Sequence, residues 1–449
     1  MSVLTDRPAA GWHTPVPEGH PAASLLTARA VRSRCGIVMA QVEGGRSPFF
    51  TWHPEHLPLC AEYVAQTIRL NYPDLNVPYH ARWRHFEAGG VDRWGAQMAR
   101  AGLEGDPIEA ARVAVDLVIP SVLLDAGAGP DWRYLDIPNS QRLPRSEGLG
   151  VASLALFASG ALSSDAGRPL RCDAAALIAL APETLADAFQ VGPANPLVGL
   201  DGRLALLQRL GEVMAATPAV LGTPARAGRL VDYLRAHAAG GRVTASFILE
   251  TLLRALGPVW PGRLRLKGVP LGDCWGHPGP EDGLLPFHKL TQWLTYSLLE
   301  PLETAGLTIT GLDELTGLPE YRNGGLLLDF GLIQPRDERF WTHTWAMDAP
   351  SIVEWRALTV IGLDRLADAV RGGLSIEEDD ATTDQQQRIA SALRPSAAAR
   401  MRRLVPGVDT TVFNPGMRDQ GRALREELGL ADRSVVVCVS RLMPRKGQD

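Results

Sequence analysis

The spacing of polar side chains constrains the fold of this chain more than any single motif does. In the stretch DPIEAARVAVDL, Asp106 is suited to cap a helix, Pro107 to begin it, and Glu109 lies three residues after the cap. Three polar residues then share one helix face, with apolar residues elsewhere: Glu109, Arg112 and Asp116. Similar periodicity, broken at Pro and Gly clusters, runs through residues 21–374, where strand-like alternation is weak. The sequence predicts a mainly α fold.

The stretch VIPSVLLDAGAGPDWRY, residues 118–134, has two possible interpretations. An apolar run followed by Asp125, Gly127 and Gly129 resembles the first strand and glycine loop of a nucleotide- or methyl-donor-binding sheet. That interpretation requires alternating strands and helices around the loop, and the surrounding pattern is helical instead. We therefore predict a buried helix that ends in a glycine turn and presents three residues of interest: Asp125, Asp131 and Trp132.

A second helix is predicted in SIVEWRALTVIGLDRLADAVRGG. Ser351 and Glu354 have the spacing of a capping box, and Gly372 and Gly373 supply the end of the helix.

Composition excludes several classes of protein. Of the 449 residues, 45% are hydrophobic and 21% charged, and the net charge is −5, so a nucleic-acid or anionic-membrane partner is not expected. No signal pattern and no apolar stretch of about 18 residues is present. The five cysteines are dispersed along the chain: Cys35, Cys60, Cys172, Cys274 and Cys438. This dispersal predicts reduced thiols in a cytoplasmic protein, and neither a disulfide framework nor a metal site.

Four regions are predicted along the chain. An extension rich in Pro, Gly and His covers residues 1–21, and a single large helical domain covers 22–374. The acidic, polar run SIEEDDATTDQQQ begins a linker over 375–388. Residues 389–449 contain a convincing buried strand, SVVVCVS, but a lone strand cannot complete a sheet. We therefore expect a short, incomplete α/β fragment at this end.

Three further segments bring charged and aromatic residues together. One amphipathic helix, LPFHKLTQWLTYSLLEPLETAG, aligns Lys289, Gln292 and Tyr296. A turn, LTGLPEYRNGGLLLDFG, holds Glu320, Tyr321, Arg322 and Asn323. The segment ARWRHFEAGGVDRW holds Arg82, Trp83, Arg84, His85 and Glu87. Each also has a simple structural interpretation: a polar outer helix face, a turn with a local ion pair, and surface arginine pairing, which is commoner than anion binding.

Four of these motifs, in this order, resemble the uracil catabolism protein 4 family over about residues 22–374: VDLVIPSVLLDAGAGPDWRY, RSEGLGVASLALF, LPFHKLTQWLTYSLLEPLE and LTGLPEYRNGGLLLDFG. The resemblance implies a role in a pyrimidine-degradation route distinct from the reductive one. Its proposed intermediates include ribosylurea, the ring-opened form of uridine.

The order of motifs is also similar to that of the queuosine-phosphate N-glycosylases, which are all-α hydrolases of a base–sugar bond. The turn PEYR and the helix VEWRA correspond to motifs of that family. Three positions depart from its pattern: Asp125 replaces Asn, Glu320 replaces Asp and Leu290 replaces Arg. The changed residues imply a different substrate.

Taken together, these two resemblances imply hydrolysis of ribosylurea or a related pyrimidine-derived riboside, with no cofactor. Breaking a bond from nitrogen to ribose builds positive charge on the anomeric carbon, which a carboxylate stabilises. The candidate catalytic residues are Asp125 and Glu320, with Asp131 in reserve. The candidate substrate-binding residues are Trp132 and Tyr321 as apolar walls, Lys289 or Arg322 for a ribose hydroxyl or phosphate, and Gln292 and His85. The alternative is a protein that binds or assembles other enzymes of the pathway.

The last residues resemble a different family. VPGVDTTVFNPG and VVVCVSRLMPRKGQD are similar to the domain junction of a retaining glycosyltransferase with the GT-B fold. The resemblance implies that Arg441 and Lys446 are vestiges of a site for the donor diphosphate. Because the acceptor domain has no counterpart here, we expect a fusion, frameshift or truncation and no glycosyl transfer by this fragment alone. A glycosyltransferase-related protein is the third hypothesis.

Overall fold

Helices dominate the computed structural model, which describes residue 16 and residues 19–103, 105–260 and 264–374. The prediction of a mainly α fold is confirmed. The predicted linker and glycosyltransferase-like fragment, with Arg441 and Lys446, lie outside the described residues. The chain divides into two compact units, each built from the described residues of three segments. Unit 1 draws on Met1–Arg34, Pro78–Trp275 and Leu284–Thr316, and unit 2 on Cys35–Val77, Gly276–Gly283 and Gly317–Asp449.

Helix α1 (Ala28–Glu43) has residues in both units. Helix α2 belongs to unit 2 and spans Leu57–Asn71. Unit 1 holds the next eleven described helices: α3 (Trp83–Phe86), α4 (Arg93–Ala101), α5 (Pro107–Leu123), α6 (Arg145–Ala158), α7 (Ala174–Ile178), α8 (Pro182–Ala188), α9 (Leu200–Ala215), α10 (Pro218–Leu221), α11 (Arg229–His237), α12 (Ala245–Ala255) and α13 (Lys289–Thr304). Unit 2 also contains α14 (Tyr321–Asp329) and α15 (Pro350–Gly373).

The described strands are two to four residues long and form two-stranded sheets. In chain order they are β1 (Phe50–Trp52), β2 (Arg133–Asp136), β3 (Gln141–Pro144), β4 (Arg242–Thr244), β5 (Arg265–Leu266), β6 (Val269–Pro270), β7 (Cys274–Gly276), β8 (Leu284–Pro286), β9 (Thr308–Thr310) and β10 (Ile333–Pro335). In unit 1, β2 and β3 pair antiparallel directly before α6, whereas β4 and β9 pair in parallel. In unit 2, β1 pairs antiparallel with β10.

The central helix of unit 1 is α5, and its beginning follows the local sequence signal. The side chain of Asp106 accepts a hydrogen bond from the Glu109 amide at 3.0 Å, and Pro107 takes the first helical position. From residue 113 to the end of the helix every residue is buried. Helix α5, and not a strand, leads directly into the DAGAG turn, which agrees with the prediction of a glycine-terminated core helix.

The polar face of α5 is joined to the region of α11 by ion pairs. Asp116 is fully buried and accepts hydrogen bonds from Arg226 Nε at 2.6 Å and from the Gly228 amide at 2.7 Å. Arg226 also lies 2.9 Å from Glu109. These contacts neutralise a charge that burial would otherwise make costly.

Helix α15 corrects one prediction about helix capping. Ser351 does not cap the helix, because the helix begins one residue earlier, at Pro350, with Ala349 at the cap position. Proline suits the first position since it has no N–H to satisfy and its φ is already helical. Ser351 therefore lies inside the first turn, where it is buried.

The core of unit 2 is formed largely by α2, α14, α15 and the β1–β10 ribbon. Buried side chains from all of these elements join one cluster, which includes Phe50, Val64, Leu327, Ile333 and Leu358. At the crossing of α14 and α15, a Cβ on Gly324 would lie 2.5 Å from Trp355 Nε1, so only glycine permits this approach.

Candidate active site

The turn that follows α5 is held by an arginine from α9. The Arg203 guanidinium donates hydrogen bonds to three carbonyl oxygens of the turn, those of Leu124 at 3.1 Å, Ala126 at 2.8 Å and Gly127 at 3.2 Å, and also to Val198 O. Carbonyls at the end of a helix have no partner within the helix, and a cation there also interacts favourably with the helix dipole. Arg203 therefore fixes the backbone on both sides of Asp125.

The last part of the turn requires glycine. Gly129 has a φ of +88°, in the left-handed region, and a Cβ there would lie 2.7 Å from a side-chain methyl of Val198. Gly129 thus serves the turn and its packing, whereas a Cβ on Gly127 would have no atom within 4 Å.

Asp125 forms a buried ion pair with Arg82. Its Oδ1 atom lies 3.0 Å from Arg82 Nη1; the Arg82 side chain is fully buried and that of Asp125 is 13% exposed. Arg82 Nε donates to Ser121 Oγ at 2.7 Å, and the Arg82 amide donates to Ser297 Oγ at 2.9 Å. Hydroxyl groups from α5 and α13 thereby fix the arginine that faces the carboxylate.

The neighbours of Asp125 hold its carboxyl group in the ionised form. Burial raises the pKa of Asp125. The positive charge of Arg82, the interaction with His85 and a 3.3 Å hydrogen bond from Ser146 together lower this pKa by more than burial raises it. The resulting pKa lies below the usual value for an aspartate. An ionised carboxylate in a largely enclosed position is suited to stabilise a developing positive charge.

His85 and Trp293 lie beside the ion pair. The two rings meet edge to face with 5.8 Å between centroids, and Arg82 Cζ lies 5.7 Å from the Trp293 centroid. Helix α6 approaches closely, because a Cβ on Gly150 would lie 2.8 Å from His85 Cβ. Asp125 and His85, two of the predicted site residues, therefore lie near the same arginine, Arg82. The sequence favours a surface ion pair for this arginine, whereas the structure buries it.

The two candidate site residues on α13, Lys289 and Gln292, have different environments. Gln292 is fully buried and its amide is engaged: Nε2 donates to Phe287 O at 3.0 Å, and Oε1 accepts from the Thr316 amide at 3.0 Å. The Lys289 amide donates to Asp273 Oδ2 at 2.9 Å, and the lysine side chain is half-buried. Gln292 thus binds Thr316, the last residue of unit 1. A substrate contact for Gln292 or Lys289 stays a prediction.

Asp131 and Trp132 face in different directions. Asp131 is exposed, whereas Trp132 is fully buried and its indole N–H donates to Phe189 O at 2.9 Å. The indole is therefore part of the core of unit 1, with its one donor satisfied. The burial of the Trp132 indole gives no support to its predicted contact with a substrate, which stays a prediction.

The remaining predicted residues belong to unit 2. Glu320 occupies the cap position of α14, Tyr321 is half-exposed and stacks on Trp355 with 5.3 Å between centroids, and Arg322 is exposed. Asp125 and Glu320 thus lie in different units, so their pairing as two catalytic carboxylates stays a prediction.

Unit 2 also contains a buried polar cluster on α15. Glu354, from the VEWRA motif, accepts a hydrogen bond from the Ser47 hydroxyl and lies 3.4 Å from His277 Nε2. The Ser47 hydroxyl oxygen also accepts hydrogen bonds from the backbone amides of Phe49 and Phe50. Because the serine donates to a carboxylate and not to the imidazole, the arrangement is not that of a nucleophile and its base. Its geometry is that of a structural anchor.

Among the described residues, no group of three or more His, Cys, Asp or Glu residues is arranged to hold a metal ion. No helix of this part of the chain has the length and apolar character needed to cross a membrane. The four described cysteines are buried: Cys35, Cys60, Cys172 and Cys274.

This helical chain belongs to the family described as "Protein of unknown function (DUF1688)", whose model matches residues 24–391. It is 37% identical to Protein urg3 of Schizosaccharomyces pombe over 394 residues, 84% of this chain and 95% of that protein. It is 39% identical to Uracil catabolism protein 4 of Lachancea kluyveri over 337 residues, 67% of this chain and 76% of that protein. The resemblance predicted from the motifs is confirmed.

A shorter similarity concerns a glycosyltransferase. Over 64 residues, 14% of this chain, the sequence is 56% identical to a GDP-mannose-dependent alpha-(1-6)-phosphatidylinositol monomannoside mannosyltransferase of Mycolicibacterium smegmatis. The match spans 16% of that enzyme, so it carries no activity over to this chain.

Proposed function

We propose that this protein acts in uracil catabolism as a hydrolase that cleaves the N-glycosidic bond of ribosylurea or a related pyrimidine-derived riboside. The role in uracil catabolism is supported by the relative named Uracil catabolism protein 4, which is 39% identical over 67% of this chain. The reaction is supported by the site around Asp125 in unit 1.

The observation that carries the proposed reaction is the state of the Asp125 carboxylate. It is enclosed, ionised and oriented by Arg82 at 3.0 Å and Ser146 at 3.3 Å. When the bond from C1′ to nitrogen breaks, its electron pair leaves with the nitrogen, which takes up one proton, and water adds to C1′ and releases one. Positive charge develops on the sugar in between, and a fixed carboxylate stabilises it strongly where water is largely excluded.

The proposed site is built from residues of unit 1. Glu320, the second carboxylate that the sequence predicts for activation of water, belongs to unit 2 with Tyr321 and Arg322, and its role stays a separate prediction. Lys289 and His85, on unit 1, are the candidates for contacts with the sugar and the leaving group.

An assay of the purified full chain tests the reaction. Ribosylurea, uridine and their 5′-phosphates are incubated with the protein, and free ribose or ribose phosphate is measured. Release is expected from at least one of the four, and replacing Asp125 with Asn should lower kcat by about 100-fold or more, because the charge is lost while the shape is kept. Glu320→Gln tests the second carboxylate in the same way.

Asp201→Asn is the matched control, since this exposed carboxylate on α9 belongs to unit 1 and contacts none of the residues around Asp125 described above. It should leave kcat unchanged. A folded protein that releases sugar from none of the four compounds refutes the hydrolase and favours a binding or assembly role. Full activity in Asp125→Asn moves the reaction away from this site.

A further inference from the structure

Two buried N–H groups near Asp125 have no hydrogen-bond partner among the described residues. They are Nη2 of Arg82 and Nε1 of Trp293, on side chains that are respectively fully and almost fully buried. Leaving such donors unpaired costs free energy, and most buried polar groups in proteins are paired. These two atoms therefore indicate a polar partner.

The other tryptophans of unit 1 with a described indole hydrogen bond provide a contrast. Trp83 donates to Ser297 O at 2.8 Å, Trp132 to Phe189 O at 2.9 Å and Trp275 to Asp273 Oδ1 at 2.5 Å. A buried indole normally finds such an acceptor. Trp293 differs from all three, although α13, on which it lies, packs closely against α5.

The two donors and the Asp125 carboxylate belong to one cluster. Arg82 Cζ lies 5.7 Å from the centre of the Trp293 ring, and Arg82 Nη1 lies 3.0 Å from Asp125 Oδ1. A carboxylate has lone pairs for about four hydrogen bonds, which leaves capacity beyond the contacts with Arg82 and Ser146. The partly exposed Asp125 and half-buried His85 connect the cluster with the surface of unit 1.

We infer that this cluster binds a planar group that carries a carbonyl oxygen and an adjacent N–H, which is the pattern of an amide, an open ureide or a pyrimidine ring. Arg82 Nη2 and Trp293 Nε1 donate to the carbonyl oxygen, and Asp125 accepts the N–H. An anion is disfavoured beside the ionised Asp125, and a carbonyl without N–H leaves the carboxylate without its donor. The inference rests on the proposed function, because it names the group of the substrate that the Asp125 site recognises.

The test observes the indole N–H of Trp293 directly. The full chain is labelled with ¹⁵N-tryptophan, and the resonance of Trp293 is identified by its loss in Trp293→Phe. N-methylurea and uracil are the two probes, one open and one cyclic, and tetramethylurea is the control with a carbonyl but no N–H. We expect a saturable downfield shift of the Trp293 resonance with at least one probe, and none with tetramethylurea.

Affinity gives a second measurement. Trp293→Phe keeps an aromatic ring but removes the donor, so it should weaken binding of the effective probe about fivefold, the effect of one neutral hydrogen bond. Trp341→Phe, a half-exposed tryptophan of unit 2, is the matched control and should bind as the wild type does. Should Trp293→Phe not fold, Arg82→Lys serves instead, since it keeps the charge beside Asp125 and removes Nη2.

The outcomes separate this inference from the proposed reaction. A Trp293 resonance that neither probe moves, or that tetramethylurea moves equally, overturns the inference even if ribosylurea is hydrolysed. Selective binding of N-methylurea or uracil without release of sugar from any riboside supports the inference and refutes the hydrolase. The probe that binds better identifies whether an open ureide or a ring is recognised.

Discussion

Arg82 and Asp125 form an ion pair with 3.0 Å between Nη1 and Oδ1, and the arginine side chain has no exposure to solvent. The pair joins the segment before α3 to the turn after α5, so it links two parts of unit 1 as well as defining the candidate site. A buried charge that loses its partner is strongly destabilising, because its desolvation is no longer compensated.

Replacing Asp125 with Ala should therefore lower the free energy of unfolding by about 3–5 kcal/mol. Denaturation with urea, followed by circular dichroism, measures the shift of the midpoint. The control is Arg84→Ala, on α3, two residues after Arg82. Arg84 lies 2.8 Å from Glu300, but both side chains are about one-third exposed, so its loss should change stability by about 0–1 kcal/mol. Equal effects of the two substitutions would contradict the role given to burial.

The part of this site that could be predicted from sequence is the part determined locally. The start of α5 was predictable because the cap, the proline and the helical period lie within a few residues, and Asp125 follows directly from the end of that helix. Arg82 could not be assigned, because an arginine in ARWRHFE is more often on the surface and only tertiary packing buries it. Its partners come from other segments of the chain, and no spacing rule connects them.

The same reasoning explains Trp132 and the role of Arg203. A tryptophan after a glycine turn is compatible with a site or with a core, and its burial depends on α8 and its neighbours, where Phe189 accepts its N–H. Arg203 lies in an ordinary amphipathic helix, so nothing in its local sequence indicates that it holds the turn before it. The capping-box spacing of Ser351 and Glu354 predicted the wrong first residue for α15, because the helix begins at Pro350, which suits the first helical position.

Replacing Arg203 with Ala should loosen the turn that carries Asp125. Three carbonyl oxygens of the turn lose a charged donor, and hydrogen bonds to charged groups contribute about 1.5–3 kcal/mol. Hydrogen–deuterium exchange of a peptide covering residues 120–130 should accelerate, since the amides of Asp125 and Ala126 bond within this turn. The peptide covering α15, in unit 2, is the internal control. Unchanged exchange over residues 120–130 would show that the glycine turn holds its shape without Arg203.

The lowered pKa of Asp125 predicts how its contribution to stability depends on pH. Its folded-state pKa lies below the ordinary value of about 3.9, because Arg82, His85 and Ser146 outweigh the effect of burial. The unfolded chain therefore binds this proton more readily, and the stability that the carboxylate contributes is present above about pH 4 and lost as the pH falls through the folded-state pKa. Asp125→Asn has no such titration.

The stability advantage of the wild type over Asp125→Asn should thus be constant from about pH 7 to pH 5 and shrink below about pH 4. Urea midpoints of both proteins across this range provide the measurement. An advantage that grows on acidification would reverse the sign of the assigned pKa shift.

The close approach of α6 to His85 predicts opposite effects for two glycine-to-alanine substitutions. A Cβ at Gly150 would lie 2.8 Å from His85 Cβ, so Gly150→Ala forces the two segments apart and should cost about 1–3 kcal/mol. Gly202 in α9 is exposed with no atom within 4 Å of the same position, so Gly202→Ala should stabilise the protein by about 0.5–1 kcal/mol through helix propensity. Thermal unfolding of both variants should shift in opposite directions. Equal shifts would show that contact with His85 is not what requires glycine at position 150.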